Sequence, residues 1–364
     1  MFFVPTVAYN MKKFSLKETE KILGQSHMGL LHSIDKSQVI NFKIGGDDFY
    51  KLSPSSNFYK INKKISTHLL TLFPINNAAI AYVKDKSYFD FLHPHIFSKK
   101  FLRLDIKKFF HSINERDVKE QISDYFGNEL HSGKALSSLI HNVFFVKDNE
   151  SNNFIPIGFP ASPSIANIVF RKIDIQIQKL CDNFQILYTR YSDDMLFSSD
   201  SKNMVHSDYF ENEISLLISQ LGLKLNSRKT LRVNNRLSLN GYMVGWDDVN
   251  ECGYLSFSNK KFQVISKLIH YKKKRKLSNL VIMKKLFSKD LEKLVLADNG
   301  KEIFLEKYSN HQVLNKLQGF RSHLLSLIVF DKKNDCVEKS HSKKVLKLVE
   351  SLNDLIEREE NILN

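Results

Sequence analysis

Residues 188–199 read YTRYSDDMLFSS, and the meaning of the acidic pair at their centre decides the fold. Two short apolar runs flank Ser192-Asp193-Asp194, which is the pattern of a tight hairpin. Taken alone, an Asp-Asp pair between strands is an ordinary solvated turn, because short polar side chains favour such positions. The stretch FLRLDI at residues 101–106 changes its weight. It reads as a buried strand that delivers Asp105 near its end. A lone strand-end Asp is ordinarily a cap or a surface residue. A strand-end carboxylate joined by carboxylates in the turn of a neighbouring hairpin has a chemical use. Phosphoryl transfer to a growing chain uses two hard cations about 3.5–4 Å apart. Magnesium is held in such sites by one or two protein carboxylates plus substrate phosphates.

Outward from these strands the pattern alternates between helix and strand. Residues 162–182 read as one long apolar helix, with Ser162 near its cap and Pro163 in the first turn. Residues 115–147 are mostly helical, and a polar loop at 148–153 closes them. Further upstream, 15–36 and 57–73 read as helices. Between them, 39–54 reads as a hairpin about Gly45-Gly46-Asp47-Asp48. Downstream, a helix is expected over about 205–221, a short strand pair near 223–245, and mostly helix from 258 onward. This order predicts an α+β layout.

The chain has 364 residues, enough for two or three packed subdomains, and 42% of them are hydrophobic, enough for a core. Its net charge of +15 points to a polyanionic partner, nucleic acid before an anionic membrane. No run of ~18 apolar residues offers a membrane span. The opening MFFVPTVAYNMKKF lacks the basic-then-apolar order of a signal peptide. The expected location is therefore the cytoplasm, with no membrane partner. Cys181, Cys252 and Cys336 are isolated, without the pairing of a zinc site.

Four stretches occur in a fixed order: RLDIKKFF (103–110), IGFPASPSIANIVFRKID (157–174), YTRYSDDMLFSS (188–199) and LGLKLNSRKT (221–230). They resemble the successive palm motifs of reverse transcriptases, most closely the bacterial retron, abortive-infection and defence-associated enzymes, over roughly residues 75–245. The resemblance implies an α+β right-hand polymerase fold. Residues 1–100 would be the N-terminal and fingers region. Residues 101–250 would be the palm, with a fingers insertion at about 115–160, and 251–364 a basic helical thumb. Asp105, Asp193 and Asp194 are implied as the catalytic residues holding two Mg²⁺ ions, for which Mn²⁺ can substitute. The backbone carbonyl of Ile106 is implied as a further ligand.

By the same resemblance Phe110 is a steric gate against a 2′-hydroxyl, which is specificity by clash. It joins Gly158, Lys229 and Lys51 in a dNTP-binding set. Lys229 would serve as a general acid or point charge for the leaving pyrophosphate, and Lys43 with Lys51 as a fingers grip on the triphosphate. Tyr191, Ser162 at the head of the long helix, and the run Lys272, Lys273, Lys274, Arg275 and Lys276 would touch nucleic acid. Tyr82, Ser87, Pro94 and His95 stand at offsets matching an upstream retron element. Phe91-Leu92 replace its Asn-Ala pair, Ile157 replaces a common Gln, and Asn240-Gly241 falls where retron enzymes have Val-Thr-Gly.

The activity implied is RNA-directed DNA synthesis from dNTPs. Its partners would be an RNA template and primer, in the form of a dedicated non-coding RNA, a DNA product, and an effector protein in antiphage defence. Two alternatives stay open. One is template-independent or protein-primed DNA synthesis of the abortive-infection type, to which Ile157 and the missing Asn-Ala point. The other is a non-catalytic RNA-binding scaffold. Three clustered carboxylates argue against the scaffold, since without metal they repel phosphate.

Overall fold

The acidic hairpin and the Asp105 strand form as their patterns predict, and they lie in one sheet. The computed structural model describes residues 13–23, 39–44, 47–126, 135–147, 153–200, 203–247, 251–292 and 301–363. It divides into two compact units, Met1–Phe91 with Leu102–Arg232, and Leu92–Phe101 with Val233–Asn364.

The first unit opens with α1 (Leu16–Leu23) and the antiparallel hairpin of β1 (Val39–Ile44) and β2 (Asp47–Leu52). Helix α2 (Asn57–Lys64) follows, its start capped by the Ser56 side chain, which accepts from the Tyr59 N–H. The helical stretch expected to residue 73 continues, but as a π turn over Ile65–Leu69 and a 3₁₀ turn over Leu70–Leu72. Phe73 is extended, because the residue before a proline is pushed out of the helical region. After α3 (Tyr88–Leu92) comes β3 (Lys100–Asp105), buried along most of its length. Three helices, α4 (Phe109–Ser112), α5 (Glu115–Ile122) and α6 (Ala135–Phe144), lead to the short pair β4 (Val146–Lys147) and β5 (Asn153–Phe154).

Helix α7 (Ser162–Phe184) buries Ile165, Val169, Ile173, Ile177 and Cys181, an apolar stripe at four-residue spacing that faces the core. Strands β6 (Leu187–Tyr191) and β7 (Asp194–Ser199) are the acidic hairpin, and α8 (Asp208–Ser219) and β8 (Leu231–Asn234) follow. The sheet order is β6-β7-β3-β8. That order sets the acidic turn beside the end of the Asp105 strand. Leu102, Leu104, Phe170 and Phe197 are among the buried residues that hold sheet and helix together.

In the second unit β9 (Arg236–Leu239), β10 (Tyr242–Asp247) and β11 (Cys252–Phe257) form an antiparallel three-stranded sheet. Asn240 and Gly241 make its first turn, both left-handed at φ 50° and 86°, as a two-residue hairpin loop of the I′ kind requires. The rest is helical: α9 (Asn259–Lys273), α10 (Asn279–Leu286), α11 (Ser288–Glu292), α12 (Lys301–Asn334) and α13 (Lys339–Leu363). Cys181, Cys252 and Cys336 are free thiols. Among the described residues no helix is long and apolar enough to cross a membrane. The Gly45-Gly46 turn, the loop over 148–152, residues 24–36 of the first expected helix and the side chain of Lys43 lie outside the described residues.

Candidate active site

Asp105 ends β3 and is almost wholly buried. Its carbonyl accepts from the Asn226 N–H at 2.8 Å, which ties the strand to the segment before β8. Its carboxylate accepts from Asn226 Nδ2 at 3.0 Å and from Lys229 Nζ at 3.0 Å. Arg103 Nη2 stands 3.9 Å away. Arg103 sits two residues before Asp105, so strand alternation puts both on one face. From there its Nε donates to Asp194 Oδ1 at 2.8 Å.

Asp193 lies in the two-residue loop between β6 and β7. The first loop residue, Ser192, is left-handed at φ 61°, as so tight a hairpin needs. Two contacts hold the loop in place. The Asp193 carbonyl accepts from the Ile106 N–H at 3.0 Å, and the Ser192 carbonyl accepts from Arg190 Nη1 at 3.0 Å. Arg190 is fully buried. Its Nε and Nη2 donate to the two oxygens of Asp174 on α7, at 2.9 and 2.8 Å. The Tyr188 hydroxyl donates to the same carboxylate at 2.7 Å, and the guanidinium lies 4.5 Å from the Phe170 ring centre. A buried ion pair is tolerated when its hydrogen bonds are complete. This one runs from the long helix to the acidic turn.

The three carboxylates share one field. Burial pushes the Asp193 carboxyl up to about 6, and the charges of Asp194 and Asp105 push the same way. Burial also raises Asp194, against the opposing pull of Arg103. The hydrogen bond to Asp105 holds the Lys229 ammonium above its usual value. Among the described residues, no three His, Cys, Asp or Glu side chains are grouped so as to hold one metal ion as they stand. Arg103 sits on Asp194 and Lys229 on Asp105. The donors are hard carboxylate oxygens, the chemistry that magnesium takes, and the field they share favours a cation. The residues fit such an ion once the two cationic side chains turn aside.

The other expected site residues divide. Phe110 on α4 is largely buried, with its ring centre 5.5 Å from that of Phe109 and 6.4 Å from that of Tyr82. Tyr191 is half-buried, edge-on to Tyr88 at 4.9 Å, and Lys51 is exposed on β2. Ile106 is buried. Gly158, expected in the dNTP-binding set, makes a close approach to the protein's own backbone. Its φ is 112°, and a Cβ there would lie 2.3 Å from the Tyr50 carbonyl oxygen. The close approach is to β2, where the Tyr50 N–H donates to the Ile157 carbonyl at 2.8 Å. Ser162, expected to touch nucleic acid, is turned inward. It is buried, and its hydroxyl donates to the Pro156 carbonyl at 2.7 Å, so it braces the loop and is not presented to phosphate. In the basic run, Lys272 pairs with the buried Glu359, and Lys273 pairs with Asp354 at 2.8 Å. Lys274, Arg275 and Lys276 are exposed.

Sequence reading missed Arg103, Asn226, Arg190 and Asp174. Strand alternation could have found Arg103. Asn226 and Lys229 are three apart across a 3₁₀ turn, where such positions eclipse. Arg190 carries no local signal, because an arginine in a hairpin strand reads as solvent-facing.

The family model described as "Reverse transcriptase (RNA-dependent DNA polymerase)" matches residues 50–262. Over 159 residues the chain is 35% identical to the Retron Ec73 reverse transcriptase of Escherichia coli, covering 41% of this chain and 48% of that protein. Over 180 residues it is 28% identical to the Retron Ec86 reverse transcriptase of Escherichia coli, covering 49% and 52%. The chain spans about half the length of these relatives. Among solved structures, telomerase from Candida albicans with a fragment of telomeric RNA aligns with a TM-score of 0.44 at 11% identity, over 89% of this chain and 65% of that one.

Proposed function

Because the chain belongs to the reverse transcriptase family, we propose that it is an RNA-directed DNA polymerase that extends a primer with dNTPs on an RNA template. Its α+β architecture is the right-hand polymerase fold of that family. The observation that carries the reading is the convergence of Asp105, Asp193 and Asp194 in one electrostatic field beside Lys229. Bound by these carboxylates, with the Ile106 carbonyl as a further ligand, two Mg²⁺ ions would supply the charge that activates a primer hydroxyl and neutralises the triphosphate. The protein does the rest by position. The Arg190–Asp174 pair and the Ile106 N–H fix the acidic turn. Lys229, already at the site, offers charge or a proton to the leaving pyrophosphate. Phe110 would act as the steric gate that excludes a 2′-hydroxyl. Exposed Lys51, Lys274, Arg275 and Lys276 would draw phosphate without reading sequence.

Similarity to retron enzymes supports a wider reading: a cytoplasmic protein in antiphage defence, working with a dedicated non-coding RNA and an effector protein. One experiment addresses the activity and its RNA. The nucleic acid that co-purifies is sequenced and then supplied with labelled dNTPs and Mg²⁺ or Mn²⁺. The expected outcome is incorporation templated by that RNA, reduced at least ~10³-fold in Asp193→Asn. Equal incorporation by both proteins would sink the site assignment. DNA joined covalently to a Tyr or Ser would point instead to protein-primed synthesis.

A further inference from the structure

Tyr82 holds a left-handed backbone at φ 64°. That conformation is costly for a bulky side chain and free for glycine. The residues just before it are tied down. The Ala81 carbonyl accepts from the buried Asn167 side chain at 2.8 Å. The Ile80 N–H donates to the Arg190 carbonyl at 2.8 Å, and the Arg190 N–H donates to the Ala78 carbonyl at 2.7 Å. The segment is thus stitched to β6, the strand that runs into the acidic turn. Yet Tyr82 is 55% exposed, so core packing does not explain why tyrosine occupies a position suited to glycine. Strain of this kind persists where surroundings enforce it, and it gathers at ligand sites.

The exposed ring is aimed at the centre. Its hydroxyl lies 3.5 Å from Ser192 Oγ, next to Asp193. Its ring meets Phe110 edge-on, with centroids 6.4 Å apart and planes at 70°. We propose that Tyr82 contacts substrate: the rings of Tyr82 and Phe110 form a corner that takes the sugar of the incoming nucleoside triphosphate. Tyr82 is then a second determinant of deoxyribose over ribose. The inference rests on the polymerase reading above. A 2′-hydroxyl pressed into the corner of the two rings loses water, which adds a desolvation cost to the clash.

The test compares wild type, Tyr82→Phe, Tyr82→Gly, Phe110→Ala and the Tyr82→Gly/Phe110→Ala double variant in the full chain. It reads melting temperature, kcat/KM for dGTP against GTP, and equilibrium binding of each nucleotide without turnover. Tyr82→Gly relieves the backbone and should melt no lower than wild type. Its preference for dGTP should nevertheless fall about tenfold, while the KM for primer-template stays unchanged. Tyr82→Phe should keep most of the preference. The double variant should lose less than the product of the single losses, as expected of two residues acting on one group. Unchanged sugar preference in a folded Tyr82→Gly, or a change confined to the primer-template KM, would overturn the proposal. If incorporation is absent but wild type binds dGTP over GTP and Tyr82→Gly does not, the polymerase reading fails and the sugar corner stands. If wild type binds neither nucleotide, both fall.

Discussion

At Asp193 stability and chemistry pull apart. Burial and the charges of Asp194 and Asp105 raise its carboxyl to about 6. At neutral pH the fold therefore keeps an anion that it would be more stable without. Asp193→Asn should raise the stability of the chelator-treated protein, on the order of 1 kcal/mol, while removing incorporation. The pH dependence has a definite sign. The unfolded carboxyl titrates near ~3.9 and the folded one near 6. Between those values the folded state binds more protons, so stability falls as pH rises through the window. Melts in chelator from about pH 4 to 7 should show this fall more steeply in wild type than in Asp193→Asn, which keeps the raised Asp194 carboxyl. Superimposable curves would count against the shift.

At the scale of the element, the loop before α7 is a brace between β2 and the helix. Gly158→Ala would drive a Cβ into the Tyr50 carbonyl at a φ that L-residues resist. It should cost about 3 kcal/mol or more, and hydrogen exchange should show β2 losing protection first. Strand β3, the acidic hairpin and α7 were legible in the sequence because apolar spacing reports which face is buried, and Ile165 to Cys181 repeat that spacing without a break. The contacts of Gly158 and Ser162 were not legible in the same way. Gly158 answers to Tyr50, far away in the chain, and Ser162 is claimed by the Pro156 carbonyl, so no local pattern announces either contact. The convergence of Asp105, Asp193 and Asp194 was legible in their order along the chain. The cations that lie on them, Arg103 and Lys229, needed the fold to be seen together.

Across the whole molecule the charge of +15 is not spent uniformly on a partner. Lys272 neutralises Glu359, which is only 4% exposed, whereas Lys274, Arg275 and Lys276 face solvent. Replacing those three with Ala should cut the slope of log affinity against log salt by up to about 3 on duplex nucleic acid, at nearly unchanged melting temperature. Lys272→Ala should do the reverse, leaving the slope in place and costing about 3 kcal/mol, since it takes the cation from a buried carboxylate and leaves it the Asn279 amide. Filter binding across a salt series, with melts in parallel, separates the two behaviours. If Lys272→Ala flattened the slope as much as the triple variant, the division between internal and free charge would be wrong.

The contacts that converge on Asp105 and Asp194 also bear on how the protein is made. Arg103 meets Asp194 across 91 positions, and Asp105 meets Asn226 and Lys229 across 121 and 124. Loops of that length close late, because their entropy cost falls before the contacts reward it. A nascent chain that has emerged through the acidic hairpin already carries all three carboxylates but not the lysine that balances Asp105. The charge-balanced centre therefore cannot form until residue 229 has been made.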